Sequence, residues 1–479
     1  MTTQRPPQWQ GAAAWVAQHR NWVIAPLFVV VTFVPLLLVL KIVLAALLTV
    51  LWWGPVVYAG QQIQGRLPGT LISRACRRCQ PDLQTSRSTN PVDTGRSPPR
   101  LNLGAMRVAI VTESFFPQVN GVTNTVRHTV DRLLETGHEP LIIAPGPGLS
   151  TYRNARVVRV RSMGLPGYRS FSLGLPDSTV ERTLAEFRPD LVHLASPIML
   201  GATGLRAARR LAIPTVAVYQ TDVAGFARQY GIRADAAVTR WVGRIHRRSS
   251  RTLVPSTSSY ADLRALGVTN MHIWRRGVSL DLFGPEHRHE ELHARWARRR
   301  GDHVVVGYVG RLAPEKQVRR LEEVSRIPGT RLVVIGDGPA RGWLEKRLPD
   351  AKFTGILRGE DLGRAFASLD VFVHTGEAET FCQTVQEAQA SGVPVVAPAA
   401  GGPLDLVEHG RTGLLFDPGD KRSLRRSVAT LVGDARLRES LAREALASVE
   451  QRGWASVVDE LVAVHYSAVL GGYEHDVAA

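Results

Sequence analysis

Short apolar runs alternate with longer segments of helical spacing along most of this chain. Val108–Val111, Pro140–Ile143, Val157–Val160, Asp190–Leu194, Thr215–Val218 and Thr252–Val254 read as buried strands. Gly121–Thr136, Ser178–Phe187 and Ala202–Leu211 carry apolar residues at the three- and four-residue intervals of a helix. A polar stretch from Gly284 to Asp302 reads as a linker. A second series follows, with strands expected at Val304–Val309, Arg331–Ile335, Val371–Val373, Val393–Ala397 and Leu414–Phe416, and helices from Lys421 onward. Strands that alternate with helices form parallel sheets with helices on both faces. The expected fold is α/β, with two Rossmann-like units in tandem and a cleft between them, a natural place for a ligand. Trp454 to Leu470 is expected to cross back to the first unit.

The first 105 residues break this rhythm. Asn21 to Ala59 is almost wholly apolar, interrupted by Pro26, Pro35, Lys41, Gly54 and Pro55. That is longer than one helix needs to span a bilayer and short for two spans with a loop. Arg66, Arg74, Arg77 and Arg78 follow, which places the rest of the chain on the cytoplasmic side. Residues 60–105, rich in Arg, Ser, Pro and Gly, read as disordered. The expected organisation is therefore a membrane segment (about 22–59) with a disordered basic linker over 1–105 and an N-terminal Rossmann-like domain over 106–285. A C-terminal Rossmann-like domain over 286–455 and a crossover helix and tail over 456–479 complete it. The alternative is that translation starts at Met106, directly before the first strand.

Charge sharpens this picture. The net charge of +17 suggests nucleic acid, but the excess is uneven: ten basic against two acidic side chains in residues 1–105, and 49 against 40 in the rest. No nucleic-acid-binding motif is present, and basic residues beside an apolar segment fit a membrane surface better. Only five residues are lysine, which draws notice to each. The three cysteines make no disulfide framework, and Cys76 with Cys79 lacks the second ligand pair that a zinc site needs.

Candidate chemistry sits just past the strand ends, where open α/β sheets bind ligands. Phe116-Pro117-Gln118-Val119-Asn120-Gly121 opens a helix, and Gly121 permits close backbone approach at a helix N-terminus that favours phosphate. Arg311 and Lys316 follow the first strand of the second unit and suit a diphosphate, although surface charge alone accounts for them equally. Gly336-Asp337-Gly338-Pro339 is a glycine turn that serves either packing or a ligand. Tyr219-Gln220-Thr221-Asp222 ends another strand, with helix capping the simpler role for Asp222. Glu379 falls in the loop before a helix and Glu387 about two turns into it. They lie at different depths, which suits two ligand contacts better than one acid/base pair across a single bond. No Asp-x-Asp metal motif or Gly-Lys-Ser/Thr phosphate loop occurs, so basic side chains and helix dipoles must neutralise any leaving phosphate.

In chain order, Gly121, Arg311 with Lys316, the Gly336 turn and Glu379-x7-Glu387 resemble family-four retaining glycosyltransferases of the GT-B fold, from about Met106 to Leu470. The run Thr112-Glu113-Ser114-Phe115-Phe116-Pro117-Gln118-Val119-Asn120-Gly121-Val122 is similar to that of actinobacterial GDP-mannose-dependent α-mannosyltransferases acting on membrane glycolipids. The resemblance implies that Arg311 and Lys316 hold the donor diphosphate, with Gly121 against its β-phosphate. Glu387 would take the ribose hydroxyls, Glu379 the transferred sugar, and Leu357 would lie by the base. Backbone groups of Phe381, Cys382 and Gln383 would meet sugar and phosphate. Glu379, Arg311, Lys316, Gln220 and Asp222 form the expected catalytic set, with Gly336 added to the donor set. No cofactor is expected: the donor is GDP-mannose, and transfer is metal-independent or Mg-stimulated. The acceptor is lipid-linked, at the cytoplasmic face of the plasma membrane, and nucleic acid is no partner. Two departures stand out. Many relatives carry His where Gln220 stands, and Gly where Cys382 stands. The alternatives are a UDP-sugar donor of glucosyl or sulfoquinovosyl type acting on a diacylglycerol-type lipid, and a non-catalytic membrane scaffold.

Overall fold

The computed structural model describes residues 104–165, 168–222, 235–297 and 303–471. The apolar segment at 22–59 lies outside these residues. Among the described residues, no helix is long and apolar enough to cross a membrane.

The first sheet runs, in spatial order, Met271–Ile273, Arg251–Val254, Thr215–Val218, Leu191–Ala195, Arg107–Thr112, Glu139–Pro145, Ala155–Val160 and Thr151–Tyr152. All neighbours are parallel except the last pair. Strand Arg107–Thr112 is buried almost throughout, because helices cover both faces. Its alternate side chains feed two cores: Val108 and Ile110 face one, Ala109 and Val111 the other. The second sheet runs Lys352–Gly355, Thr330–Ile335, Val304–Val309, Val371–Val373, Val395–Pro398 and Gly413–Phe416, all parallel. It too divides its side chains, with Val305, Val333 and Phe372 on one face and Val306, Val334 and Val371 on the other.

In each sheet the chain adds strands outward on one side of its first strand, then crosses to the other. The reversal falls between Arg107–Thr112 and Leu191–Ala195 in the first sheet, and between Val304–Val309 and Val371–Val373 in the second. Loops diverge beyond the strand ends at such a reversal and leave a crevice.

The polar stretch after Gly284 is not a linker. Pro285–His287 forms a helical turn and Glu290–Ala297 a helix. Trp296 and Ala297 are buried in the second half's core, with Leu292 packed against it. Three apolar positions on one side hold the helix, and its charged outer face hides them from a composition count.

The joining segment runs just before it. Val278 N–H donates to the Arg452 carbonyl at 2.9 Å. The last helical stretch, from Trp454, returns to the first half, where Val457, Leu461, Tyr466 and Val469 complete that core. Its buried polar groups are matched: Trp274 Nε1 donates to the Val457 carbonyl at 3.0 Å, and Tyr466 Oη lies 2.8 Å from His193 Nδ1.

Candidate donor-binding site

Lys316 and Glu379 come from opposite sides of the second reversal. Lys316 ends a helical turn, Pro314–Lys316, beyond strand Val304–Val309. Glu379 lies in the loop after Val371–Val373. Their side chains meet at 2.5 Å, Nζ to Oε1, and both are largely buried. Thr375 Oγ1 donates to the Lys316 carbonyl at 2.6 Å, tying the two loops at the backbone. From beneath, Gly402 N–H donates to the Glu379 carbonyl at 2.7 Å.

His374 immediately follows the strand, and its Nε2 lies 3.1 Å from the same Glu379 oxygen. Burial opposes charge on each of these groups, but mutual attraction outweighs it. Glu379 is held down at about 2 by Lys316 and His374. His374 is lifted to about 10 by Cys382 and Glu379, and Lys316 is also raised. Of the two partners on Glu379, the Lys316 ammonium is the firmer, because His374 makes the close approach without hydrogen-bond geometry. His374, Glu379 and Cys382 place one ligand atom each within 4.8 Å of one another, a spacing that suits a soft cation. The Lys316 ammonium already supplies a positive charge on that carboxylate.

Cys382 caps helix Gln383–Ala390 with φ 79° and ψ 70°. Glycine adopts that left-handed conformation freely, whereas a side chain there costs about 1–2 kcal/mol. Phe381 and Cys382 are buried, which leaves backbone groups as their means of contact. Gln383 Nε2 reaches the joining segment and donates to the Gly277 carbonyl at 2.9 Å.

Glu387 lies further along the same helix. It is partly exposed, and no described residue hydrogen-bonds its carboxyl, which burial among protein atoms pushes up to about 8. A carboxyl without a partner, yet open to approach, can still receive hydroxyl donors. Arg311, about a third exposed, lies 3.3 Å from Glu315 through Nη1. Leu357 sits just past strand Lys352–Gly355, packed against the second core.

Gly336 is constrained by packing. Its φ is +133°, a Cβ there would lie 2.0 Å from the Gly310 carbonyl oxygen, and its N–H donates to the Gly355 carbonyl at 2.8 Å. Only glycine fits between these adjacent turns.

The first half supplies the facing wall. Asn120 caps helix Gly121–Glu135 by accepting from the Val122 and Thr123 amides at 3.0 Å each, worth about 1 kcal/mol. Gln220 is buried at the end of strand Thr215–Val218, and its carbonyl accepts from Thr380 Oγ1 at 2.9 Å. The residue after Glu379 is thereby bonded to the opposite half. Asp222 is half-buried, with its Oδ1 3.5 Å from Tyr219 Oη.

Three polar residues here escaped the sequence reading. His374 and Arg276 are buried beside Glu379 and Gln220. Glu113 bridges the first reversal: its Oε1 accepts from the Ile198 and Gly201 amides at 2.8 and 2.9 Å, and burial raises its pKa to about 7. A polar residue directly after a fully apolar strand was the available signal for His374, and a carboxylate just past the end of a buried strand was that for Glu113. A cavity of about 410 Å3, lined by Arg326, Thr330, Arg347 and neighbours, lies at the edge where the second sheet's strands begin. Ligands of such sheets bind at the other edge.

Comparison with known proteins bears on the family and the fold. The Glycosyltransferase Family 4 profile matches residues 119–282, and the Glycosyl transferases group 1 profile matches residues 290–447. The chain is 50% identical over 374 residues to a GDP-mannose-dependent α-mannosyltransferase of Mycobacterium tuberculosis, covering 76% of this chain and 97% of that protein. It is 43% identical to the Corynebacterium glutamicum protein of that name, over 76% of this chain and 89% of that one. It is 33% identical to a sulfoquinovosyl transferase of Arabidopsis thaliana, over 76% and 74% of the two. Among solved structures, Anabaena HepE in complex with UDP matches 76% of this chain and all of its own, with TM-score 0.62 and 21% identity, a likeness of fold. With two Rossmann-like units and its ionised pair at the sheet reversal, the chain belongs to the family-four glycosyltransferases of the GT-B fold and is an enzyme of that class.

Proposed function

We propose that the protein is a retaining α-mannosyltransferase that moves mannose from GDP-mannose to a membrane glycolipid. The observation that carries the site assignment is the Lys316–Glu379 pair at the second reversal, joined through Thr380 to Gln220 across the cleft. Relatives at 43–50% identity that bear the name GDP-mannose-dependent α-mannosyltransferase support the donor. A phosphatidylinositol dimannoside mannosyltransferase at 27% identity supports a glycolipid acceptor.

The chemistry follows from the charges. As the bond to the sugar breaks, negative charge grows on the diphosphate, and Lys316 and Arg311 stabilise it. Glu379, held near pKa 2, is too weak a base to take the acceptor proton. As the family resemblance implies, a donor phosphate oxygen takes the acceptor proton, and attack comes from the leaving group's own face, with retention. Glu379 instead orients the sugar, and Glu387 takes the ribose hydroxyls. The chain's own cations perform the charge stabilisation for which other enzymes use a metal.

The protein acts at the cytoplasmic face of the plasma membrane in this account. Support comes from the apolar run at 22–59 and from helix Asp235–Arg248, which buries Val242 and Ile245 and exposes Trp241, Arg244, Arg247 and Arg248. Basic side chains around an aromatic ring suit an anionic lipid surface.

Labelled GDP-mannose, UDP-glucose and UDP-glucuronate, each incubated with protein and membrane lipids, test the donor. Label should enter lipid from GDP-mannose alone. Transfer only from a UDP-sugar would overturn the reading in favour of a glucosyl or sulfoquinovosyl type, and transfer from none in favour of a scaffold.

A further inference from the structure

Arg276 lies in the segment that joins the two halves and is 8% exposed. Its Nη2 donates to Gln220 Oε1 at 3.1 Å and approaches the Gln220 carbonyl at 3.5 Å. Its Nε is buried without a partner, as is Gln220 Nε2. Its own carbonyl accepts from Gln386 Nε2 at 3.1 Å, next to the Gln383 bond on Gly277. The residue is thus pinned on one side to helix Gln383–Ala390 of the second half and on the other to Gln220 of the first.

Among the described residues no carboxylate makes a direct ion pair with this guanidinium, and Glu379 attracts it only at longer range. A buried charge held mainly by a neutral amide is costly, and five donors are far from satisfied. The free arm shows where a partner belongs. Nη1 lies beside Gly121, where an added Cβ would stand 2.9 Å from it. Gly121 opens a 15-residue helix whose cap, Asn120, takes the Val122 and Thr123 amides. The first turn of that helix leaves its leading N–H groups, that of Gly121 among them, without intrahelical partners. A helix N-terminus and a guanidinium arm converging on one point favour an anion. The Gln220 carbonyl that touches Arg276 is also held by Thr380, so this point adjoins the Glu379 loop.

We propose that Arg276, oriented by Gln220, is a third cationic contact for the donor diphosphate, binding a non-bridging oxygen of the sugar-side phosphate together with the Gly121 N–H. The inference rests on the donor reading above and adds a residue to it. It also accounts for Gln220. A glutamine carbonyl accepts from the guanidinium at any pH, whereas a histidine at that position, once protonated, would repel it. Gln220 is then a positioning residue, not a proton carrier. Gly121 is small because the guanidinium occupies the space of a side chain.

The test is binding of GDP and of guanosine, without acceptor, to the full chain and to Arg276→Gln, Arg276→Lys, Gln220→Ala and the double variant Gln220→Ala/Arg276→Gln. Circular dichroism and thermal unfolding check the fold of each. Arg276→Gln should weaken GDP about 10- to 100-fold, the range for a charge-assisted hydrogen bond, and leave guanosine unchanged. Arg276→Lys should recover part of the loss. Gln220→Ala should weaken GDP alone and add nothing once Arg276 is gone. If Arg276→Gln does not fold, the Lys and Gln220→Ala variants make the same comparison. Wild-type GDP affinity in a folded Arg276 variant, or equal losses for GDP and guanosine, each overturns the inference. Wild-type protein that does not bind GDP would instead sink the donor reading, and this inference with it.

Discussion

Glu379 and Glu387 share a loop and helix yet are held in opposite states. Glu379 stays ionised, since Lys316 and His374 bring its pKa to about 2. A depressed carboxyl contributes stability above its ordinary value, and that contribution is lost as pH falls through the folded one. His374, raised to about 10, runs the other way: its contribution is whole below its ordinary value and is lost as pH rises through 10. Between these limits the group is intact, so acid or alkali should disable it only at the extremes. Glu387, with a pKa of about 8, is mostly protonated at neutrality. Ribose hydroxyls favour its carboxylate, so GDP binding near pH 7 should release a proton and tighten as pH rises towards 8. Calorimetry in buffers of different ionisation enthalpy measures this; no release, or the same release from Glu387→Gln, would refute the ribose contact. Lys316→Ala should lower kcat roughly 100- to 1000-fold in a transfer assay, as loss of a charge-stabilising donor does. Cys382→Gly should raise the midpoint of urea unfolding by about 1 kcal/mol of stability through relief of the left-handed strain, while Cys382→Ser should not. At this scale the sequence revealed which charged residues sit just past strand ends. It did not reveal their partners: Arg276 lies far from Gln220 along the chain and Lys316 far from Glu379, and only folding brings them together, while His374 shares the loop of Glu379 but carries no mark of pairing with it.

Elements were more legible than contacts. Central strands appear as unbroken apolar runs because both faces are covered. Edge strands such as Met271–Ile273 and Lys352–Gly355, and the hairpin Ser162–Leu165 with Tyr168–Gly174, are short or half-polar and carry no such mark. The helix Glu290–Ala297 was hidden for the reason given above. One element interface carries a further expectation. Asp405, in the short helix Pro403–Leu406, has a buried side chain that accepts from Thr257 N–H at 2.9 Å, Thr257 Oγ1 at 2.8 Å and Arg275 Nη2 at 3.2 Å. It fastens the second half to the first. Asp405→Ala removes a buried acceptor for three donors and should cost about 2–4 kcal/mol. Hydrogen exchange should then quicken at Thr257 before it quickens in either sheet. Unchanged protection at Thr257 would argue that the halves are fastened elsewhere.

For the molecule as a whole, the C-terminal helix makes the first half depend on the end of the chain. Tyr466→Ala should cost about 3–5 kcal/mol, a large fraction of a domain's stability, and should expose the first half to protease before the second. At the membrane, replacing Arg244, Arg247 and Arg248 with Glu in a 106–479 fragment should reduce its binding to anionic liposomes. Unchanged binding would remove that helix from the membrane account. The two sheet reversals, one from each half, are the scaffold on which all of these residues converge, and the claim that they form one donor site is the centre of the account. A crystal structure of the protein with GDP tests it most directly. The diphosphate should lie within hydrogen-bonding distance, about 3 Å, of Lys316, Arg311 and the Gly121 N–H, with the ribose against Glu387. GDP bound elsewhere, as in the cavity by Arg326 and Arg347, with Lys316 still paired to Glu379 and no ligand between the reversals, would contradict it.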